Sequence, residues 1–435
     1  MKTLFNFIFM LFTSISLLTC DSNEPQTKFN LSLTLEDISC TEAWLQLTTN
    51  NIQLPTTINL LKNNSVSQTY ILNTKDSLLY IDSLLPNQNY KLQVSSIQNP
   101  VSSNELSITT MDTTSHNFPW QTFTFGDAGA GSSTLYDVAI IDENNIWAVG
   151  EIYINDSLGN PDPTSYNAVH WNGSSWELIR IGNSGGWSCR ALFAFSEINL
   201  WFNATTKWNG LNYSVHDHGF PLEPNGDGWL VYKMWGSGDN DLYVVGNNGN
   251  IAHYNGSSWT KIQSGTNIEI QDIWGVNNAG SPQRQVFCIA SDKYQSIDKK
   301  VYSIKNNNVT EISNEGLPWS LSSIWFNNKH KCYIVGDGIF TKDLSSSNSW
   351  QNITLGITPY YTHAIRGTGL NDIVVGGSFG ELLHFDGSTW YSYKGRELPD
   401  FIGNYFAVGI KGNVICAVGQ ASINSNVAIL AIGQR

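Results

Sequence analysis

The chain lacks the short motifs that name a reaction. It has no Walker-type phosphate loop, no His-Glu-x-x-His zinc motif and no Cys-x-x-Cys pair. No Ser, His and Asp set stands out as a hydrolytic triad. The 435 residues include only six arginines and six cysteines, and charged residues make up 14%. We therefore expect a non-catalytic protein without a cofactor.

Basic residues are scarce. The chain has 23 Lys and Arg against 36 Asp and Glu, which gives a net charge of −13. An acidic protein repels the phosphate backbone. The composition therefore argues against nucleic acid as a partner.

The cysteines do not suggest a disulfide framework. Besides Cys20 there are five, an odd number, and four of them lie in predicted strands of different repeats. A free cysteine packs as a small hydrophobic residue. We therefore predict buried thiols at Cys40, Cys189, Cys288, Cys332 and Cys416.

The N-terminus is typical of an exported protein. Lys2 precedes an apolar run, Leu4 to Leu18, which is short for a membrane span. Leu-Leu-Thr-Cys, ending at Cys20, resembles the lipobox of bacterial lipoproteins, although Thr19 replaces the usual Gly, Ala or Ser. The resemblance implies a signal peptide over residues 1–19 and lipidation of Cys20. An ordinary signal peptide cut nearby is the alternative.

Residues 20–28 predict a polar tether, and their acidic sequence adds no polybasic support for membrane binding. The expected location is therefore the bacterial cell envelope, lipid-anchored at the outer membrane. We expect a monomer.

Residues 29–111 form a separate predicted domain. Leu84-Leu85-Pro86-Asn87-Gln88-Asn89-Tyr90 and the following Val94 resemble the Leu-x-Pro-x-x-x-Tyr-x-x-x-Val stretch of fibronectin type III domains. The resemblance implies a β-sandwich with Tyr90 as a tyrosine corner, its ring in the core and its hydroxyl bonded to backbone. Residues 112–118 would be the linker to the second predicted domain.

A repeat organises the rest of the chain, and Asn240 to Trp259 is its clearest copy. Leu242 to Val245 is an apolar strand, Ile251 to Tyr254 is a second one, and Asn255-Gly256 suits a type I′ hairpin turn. An apolar marker of the preceding strand stands nine residues before the centre of the next strand in six copies. These markers are Val138, Leu192, Met234, Ile324, Ile365 and Ala407.

A seventh copy, Ile273 to Phe287, is stretched around Gly280-Ser281-Pro282. Seven copies at a period of about 41 to 54 residues predict an all-β, seven-bladed β-propeller over residues 119–435. The last copy has no room for a fourth strand, but Trp120 to Phe125 has the pattern of a fourth strand. We therefore predict that this N-terminal strand completes the last blade and hides the open edges.

The repeat has two family resemblances. Gly-x-Ser/Thr-Trp, at Gly173, Gly256 and Gly387, resembles half of the Asp-box of sialidase-like propellers, without the preceding Ser-x-Asp. The whole unit is more similar to the Asp-Ile-Trp-Ala-Val-Gly repeats of exported bacterial propeller lipoproteins, which are generally of unassigned function. This likeness implies the architecture and no activity.

Three groups of residues are weak metal candidates. His170, His253 and His384 occupy one repeat position in different blades, so they are predicted to be too far apart to share a metal. His216 and His218 have a spacing that could hold one in a loop. The oxygen-rich turn at Asp156, Asn160 and Asp162 resembles a calcium loop, but a solvated insertion is the preferred interpretation.

An enzyme is the alternative function, and it needs charged side chains in the channel. A sialidase-like site uses an arginine cluster and a Tyr beside an acid. Only Arg190 and Arg366 lie on predicted inner strands, and Arg366 takes the place of a tryptophan in other copies. A structural or assembly factor for envelope complexes is a further alternative.

The preferred hypothesis is a binding protein that takes a glycan or protein ligand on one propeller face. The two longest insertions, Glu151 to Asn167 and Ser214 to Gly228, are predicted to share that face. Rings five residues before the markers would surround the channel mouth there, unless they pack as core. The predicted ligand-binding candidates are Trp187, Trp229, Trp319, Tyr360 and Arg366.

Overall fold

The computed structural model describes residues 30–98, 100–182, 186–223, 226, 228–277, 284–292, 298–328, 330–423 and 425–435. These residues are all-β: they contain no α-helix and a single 3-10 turn at Asn247–Gly249. No helix in this part of the chain is long and apolar enough to cross a membrane. The predicted signal peptide, Cys20, the tether and the Gly280-Ser281-Pro282 stretch lie outside the described residues.

By its internal contacts the chain divides into two compact units. Among the described residues, one comprises 30–34 with 45–79 and 90–107, and the other comprises 35–44, 80–89 and those from 108 onward. The predicted boundaries at 111 and 118 stay a prediction.

Seven strands form a three-stranded and a four-stranded sheet near the N-terminus. The strands are β1 (Asn30–Ile38), β2 (Ala43–Asn50), β3 (Thr56–Lys62), β4 (Ser65–Leu72), β5 (Asp76–Ile81), β6 (Asn89–Ser96) and β7 (Leu106–Thr109). Their order is β1-β2-β5 in the three-stranded sheet and β4-β3-β6-β7 in the four-stranded one. Alternate side chains such as Ile58, Leu60, Leu92 and Val94 are fully buried, as expected for strands with one face in a core.

Tyr90 lies near the start of β6 and is only partly buried, whereas the tyrosine-corner prediction places its ring in the core. Its ring is half-buried, and the Lys62 Nζ lies 5.8 Å from the ring centroid. The hydroxyl-to-backbone bond of a tyrosine corner stays a prediction.

The remaining strands form seven four-stranded sheets, in chain order. The first sheet consists of β9 (Thr134–Asp142), β10 (Asn145–Ile152), β11 (Tyr166–Trp171) and β12 (Trp176–Ile179). The second consists of β13 (Leu192–Ser196), β14 (Asn199–Phe202), β15 (Thr206–Trp208) and β16 (Tyr213–Val215). The third consists of β17 (Val231–Gly238), β18 (Asp241–Gly246), β19 (Ile251–Tyr254) and β20 (Trp259–Ile262).

The fourth sheet consists of β21 (Ile270–Val276), β22 (Gln285–Ser291), β23 (Lys299–Lys305) and β24 (Asn308–Ile312). The fifth consists of β25 (Leu321–Phe326), β26 (Cys332–Gly336), β27 (Gly338–Lys342) and β28 (Gln351–Asn352). The sixth consists of β29 (Thr362–Gly369), β30 (Asp372–Gly377), β31 (Leu382–Phe385) and β32 (Trp390–Ser392). The seventh contains β33 (Gly403–Lys411), β34 (Val414–Ile423), β35 (Ser425–Gln434) and β8 (Trp120–Phe125).

The seven sheets close into a ring through their first strands. The first strand of each sheet contacts that of the next, and β33 of the last sheet contacts β9 of the first. The predicted closing strand is confirmed, because β8 pairs antiparallel with β35 from Ala428↔Phe125 to Gly433↔Trp120. The first strands therefore surround a central channel.

In several repeats a glycine at or near the end of the second strand has a packing reason. A Cβ on Gly246 would lie 2.1 Å from the Leu230 carbonyl oxygen, and one on Gly150 would lie 1.9 Å from that of Thr134. Both glycines lie beside a register shift between the first and second strands. Glycine is therefore required at these two positions, because the backbone of the neighbouring strand comes too close at the bulge for a side chain.

The predicted fate of the cysteines is confirmed for the described residues. Cys40, Cys189, Cys288, Cys332 and Cys416 are free and buried. Burial raises the pKa of the thiols, for example that of Cys40 to about 11. Such thiols act as small core residues.

Candidate functional site at the channel mouth

The two faces of the ring differ in their connections. Because neighbouring strands are antiparallel, the loops between second and third strands emerge on the same face as the segments that join one sheet to the next. We call this the loop face. The opposite face carries the hairpins between first and second and between third and fourth strands, and we call it the hairpin face.

A cavity of about 380 Å³ opens where the first strands begin, at the loop-face end of the channel. All seven sheets contribute to it, so it exists only once the ring has closed. Its walls mix aromatic, charged and hydroxyl side chains. They include Tyr136, Arg190, Tyr232, Lys233, Glu269, Gln271, Ser322, Ser323, His363 and Phe406.

Two tyrosine–glutamate pairs lie at this mouth. The Tyr136 hydroxyl donates to Glu151 Oε1 at 2.7 Å, and the Tyr232 hydroxyl donates to Glu269 Oε1 at 3.0 Å. Burial, together with the neighbouring Glu151 carboxylate, raises the pKa of Tyr136 to about 12. Burial and Glu269 likewise raise the pKa of Tyr232. Both phenols therefore stay protonated near neutral pH and hold their carboxylates in place.

Two cations line the mouth, Arg190 and Lys233, and Lys233 is paired with Asp137. The Arg190 guanidinium lies 4.6 Å from the centroid of the Tyr136 ring, a cation–π distance. Within the described residues it makes no ion pair, and the side chain is half-buried. By contrast, a carboxylate partners the guanidinium of each of Arg180, Arg284, Arg366 and Arg435. Arg190 therefore keeps donors available to an anionic group in the cavity.

Ion pairs form the deeper layer of the channel. The Lys233 Nζ lies 2.6 Å from Asp137 Oδ1, and Arg366 binds both oxygens of Asp272. Each aspartate also accepts a backbone N–H from the next sheet, Leu192 for Asp137 and Ile324 for Asp272. These aspartates therefore link neighbouring sheets to one another.

The charged form of the Asp272 carboxyl is stabilised by its neighbours. Burial alone would raise the pKa of this carboxyl, but the charge and hydrogen bonds of Arg366 hold it below its usual value. Beyond this layer lies a second space of about 160 Å³, which Arg366 also lines. Arg366, a predicted ligand-binding residue, is thus already bound within the chain.

The four predicted aromatic anchors have different environments, although they share one repeat position. Trp187 is 74% exposed, Trp319 is 39% exposed and Tyr360 is half-buried. Trp229 is 8% exposed and packs against Phe220, with ring centroids 5.2 Å apart. None of the four lines the cavity. Trp229 is therefore a core residue, in contrast to its predicted role as an anchor.

The two long insertions are not both confined to the loop face. Tyr153, in the first, stays there, because its carbonyl accepts the N–H of Asp127 from the segment that leads into β9. In the second, the His218 carbonyl accepts the N–H of Trp259, which follows a hairpin of the opposite face. Farther along, Glu223 Oε1 accepts from Asn250 Nδ2 at 2.7 Å. The described part of Ser214 to Gly228 thus crosses the outer side of the third sheet.

In the oxygen-rich turn, the carboxylates of Asp156 and Asp162, two of the candidate metal ligands, form hydrogen bonds and an ion pair with nearby residues. Asp156 Oδ1 accepts the backbone N–H groups of Leu158 and Asn160, and Asp162 pairs with Arg180 at 2.8 Å. No group of three or more metal-binding side chains comes together among the described residues. The turn is therefore built as a hydrogen-bonded insertion.

The repeated histidines contact residues of their own sheets, and His384 also contacts His116 and Phe118. His170 stacks on Trp147, and His253 stacks on Tyr243 with ring centroids 4.3 Å apart in each case. His384 is fully buried and its Nε2 lies 2.9 Å from Asp372 Oδ1. The three histidines thus lie in three different sheets, each with a ring or carboxylate partner there.

The residues that build the cavity were missed by the sequence analysis, except Arg190. They do share a position, since six of them stand two residues before the marker of their repeat. These six are Tyr136, Arg190, Tyr232, Gln271, Ser322 and His363. Comparing the copies position by position would have found this ring, whereas the predicted aromatic anchors stand five residues before the marker and do not line this cavity.

Comparison with known proteins supports the fold alone. No family model matches the chain, and no curated protein matches it. The structure is similar to that of a β-propeller described as YCF48 bound to D1 peptide, with a TM-score of 0.51, 14% identity, and coverage of 73% of this chain and 96% of that one.

Two further solved structures are more distant. One is YCF48 from Cyanidioschyzon merolae, with a TM-score of 0.48, 14% identity, and coverage of 72% of this chain and 98% of that one. The other is BBS1N in complex with ARL6DN, with a TM-score of 0.43, 16% identity, and coverage of 72% and 96%.

Proposed function

We propose that residues 119–435 form a seven-bladed β-propeller, preceded by a fibronectin type III-like sandwich over residues 29–111 and a linker at 112–118. The closed ring of first strands and the β8–β35 pairing support the seven blades. The two sheets of β1 to β7 and the sequence around Pro86 and Tyr90 support the sandwich.

We further propose that the chain is a non-catalytic envelope lipoprotein whose propeller binds a segment of a partner protein at the channel mouth. One observation carries this function: Arg190, half-buried in a cavity built by all seven sheets, has no ion-pair partner among the described residues. A guanidinium with open donors in a partly dry site favours a carboxylate. An acidic side chain or C-terminus of the partner would supply it.

The surroundings of Arg190 suit a peptide rather than an isolated ion. Tyr136 holds the guanidinium from one side, and Phe406 and His363 add ring surface to the wall. Ser322 and Gln271 add polar side chains to the wall, and both are already hydrogen-bonded within the chain, Ser322 to Tyr361 and Gln271 to Glu269 and Ser291. A propeller of similar fold, YCF48, has been solved with a D1 peptide bound, which is a precedent for a peptide ligand.

Selection of displayed random peptides on the purified full chain tests this function. We expect enriched sequences to carry Asp, Glu or a free C-terminus. Arg190→Ala should weaken their binding by about 10- to 100-fold, the range of a charged hydrogen bond. Arg396→Ala is the matched control, because Arg396 is exposed and stacks 4.7 Å from the Tyr391 ring, as Arg190 does on Tyr136. Binding that Arg190→Ala leaves intact would refute the proposal.

A glycoside-active enzyme is the second candidate, and the tyrosine–glutamate pairs favour it. A Tyr held by an acid beside an arginine is the chemistry a sialidase needs. Two observations weigh against it: the raised pKa of each tyrosine disfavours a phenolate nucleophile, and Arg366 is bound to Asp272 instead of joining Arg190. Hydrolysis of a fluorogenic sialoside that Tyr232→Phe abolishes would establish the enzyme instead.

Lipid anchoring through Cys20 is part of the proposal, and the lipobox-like sequence supports it. Cys20→Ser should release the protein from membranes or block its processing. Unchanged membrane fractionation and unchanged mature mass would remove lipidation from the proposal and leave the channel-mouth function intact.

A further inference from the structure

A groove on the hairpin face, between the seventh and first sheets, encloses a larger space than the channel mouth. Its volume is about 640 Å³, within the range of roughly 300–1,000 Å³ that is common for ligand sites. The closing strand β8 and the end of β35 form one wall. The β9–β10 and β11–β12 hairpins of the first sheet form the other.

Half-buried aromatic rings line the inside of this groove. Trp171 and Trp176 are direct partners in the β11–β12 ladder, with ring centroids 5.5 Å apart. Phe123 of the closing strand packs against Trp176 at 5.8 Å. All three rings keep part of their surface accessible. The groove thus offers flat apolar faces at a sheet boundary.

The third sheet shows how the chain treats the same ring pair elsewhere. Tyr254 and Trp259 occupy the corresponding ladder position, but they are only 6% and 3% exposed. Phe220 covers Trp259 at 5.3 Å, and the His216 carbonyl accepts its indole N–H at 2.8 Å. In the first sheet Phe123 and Phe125 of the closing strand contact Trp176, but Trp171 and Trp176 both stay partly exposed. The remaining exposed surface of this pair is where an external group could stack.

The rim of the groove is polar and almost uncharged. The side chains of Gln121, Asn144, Gln434 and Glu143 are exposed, and none has a hydrogen-bond partner among the described residues. The cation of the rim, Arg435, is bound to both oxygens of Asp372. Among the described residues that line the groove, an anionic ligand would find Glu143 and no cation without a partner.

We propose that this groove binds a neutral oligosaccharide. A pyranose ring has an apolar C–H face that stacks on an indole, and hydroxyls at its edge that donate to and accept from amides. Trp171 and Trp176 supply the stacking surface, while Gln121, Asn144 and Gln434 supply amides that can do both. Glu143 accepts from a hydroxyl and disfavours acidic sugars. This site is separate from the channel mouth and does not depend on the function proposed there.

The test uses the full chain and four trisaccharide-sized probes: maltotriose, cellotriose, triacetylchitotriose and the acidic sialyllactose. We expect at least one neutral probe to bind with a Kd of about 1 mM or tighter, and sialyllactose to bind more weakly. Gln121→Ala and Asn144→Ala should each weaken binding by about 3- to 10-fold, the range of one lost hydrogen bond. Both side chains are exposed, so the melting temperature should not change.

Gln263→Ala is the matched control, because Gln263 is an exposed glutamine at the end of β20, away from the groove. It should leave binding unchanged. Three results would overturn the proposal: no neutral probe binds, binding is insensitive to both groove variants, or sialyllactose binds best. Loss of selected peptides in Gln121→Ala would also overturn it, since the groove would then serve the peptide.

Discussion

Arg366 and Asp272 form a two-point ion pair inside the channel, with Nη1 and Nη2 each 2.9 Å from one carboxylate oxygen. The Asp272 side chain is 1% exposed. Arg366 also stacks over Trp274 at 4.8 Å, and Ser323 of the sheet between them donates to the same carboxylate. The pair therefore links the fourth, fifth and sixth sheets.

Breaking this pair should be costly. Arg366→Met leaves Asp272 buried without its cation, so we expect the free energy of unfolding to fall by about 3–5 kcal/mol. Unfolding of the purified protein and of the variant in guanidinium chloride measures this change in free energy. Adding Asp272→Asn to Arg366→Met should restore part of the loss. A fall below about 1 kcal/mol would show that the ion pair is dispensable.

Trp229 and Trp187 should respond oppositely to truncation, although they hold one repeat position. Trp229→Ala removes a buried ring beside Phe220 and should destabilise by about 3–5 kcal/mol. Trp187→Ala removes a ring that is 74% exposed and should change stability by no more than about 0.5 kcal/mol. Thermal unfolding of the two variants side by side checks this. Equal effects would contradict the difference in burial.

Deleting residues 117–126 should remove the closing strand and expose an edge of β35. Unpaired edges promote association, so we expect aggregation and loss of the soluble monomeric fraction in size-exclusion chromatography. Thr122→Ala with Thr124→Ala is the control, since both side chains are exposed and the strand remains. A soluble deletion variant with unchanged melting would refute the closure.

His116 should make stability depend on pH. Burial, with a further effect of His384, lowers its pKa below the ordinary 6.5, and the two Nδ1 atoms lie 2.8 Å apart. The unfolded chain then binds more protons just below pH 6.5, so stability falls as the pH drops through that value. Asp386 and Arg435 also act on this group.

The matching variant is His116→Asn, which should flatten the fall in melting temperature between about pH 7.5 and 5. His218→Asn, at an exposed histidine, controls for the loss of one imidazole. The lowered pKa of Asp372 contributes in a separate window, below its ordinary value of 3.8. An unchanged pH profile in His116→Asn would disprove the role of His116.

The sequence by itself determined the elements that depend on near neighbours. Alternating apolar residues and Asn-Gly turns specify strands and hairpins within about twenty residues, so the repeats could be counted from spacing alone. The missing strand after Ile432 even identified Trp120 to Phe125 as its replacement. The buried, unpaired cysteines followed from their number and placement.

Only the tertiary structure decided which equivalent residues are exposed and which charges are satisfied. Arg366 looked like a free ligand contact, but its partner Asp272 is 94 positions away and meets it only through the closed ring. Trp229 is buried because Phe220, from a long insertion, lies over it. The channel mouth needs all seven sheets at once, so no local pattern of residues could show that Arg190 lacks a carboxylate within the described part of the chain.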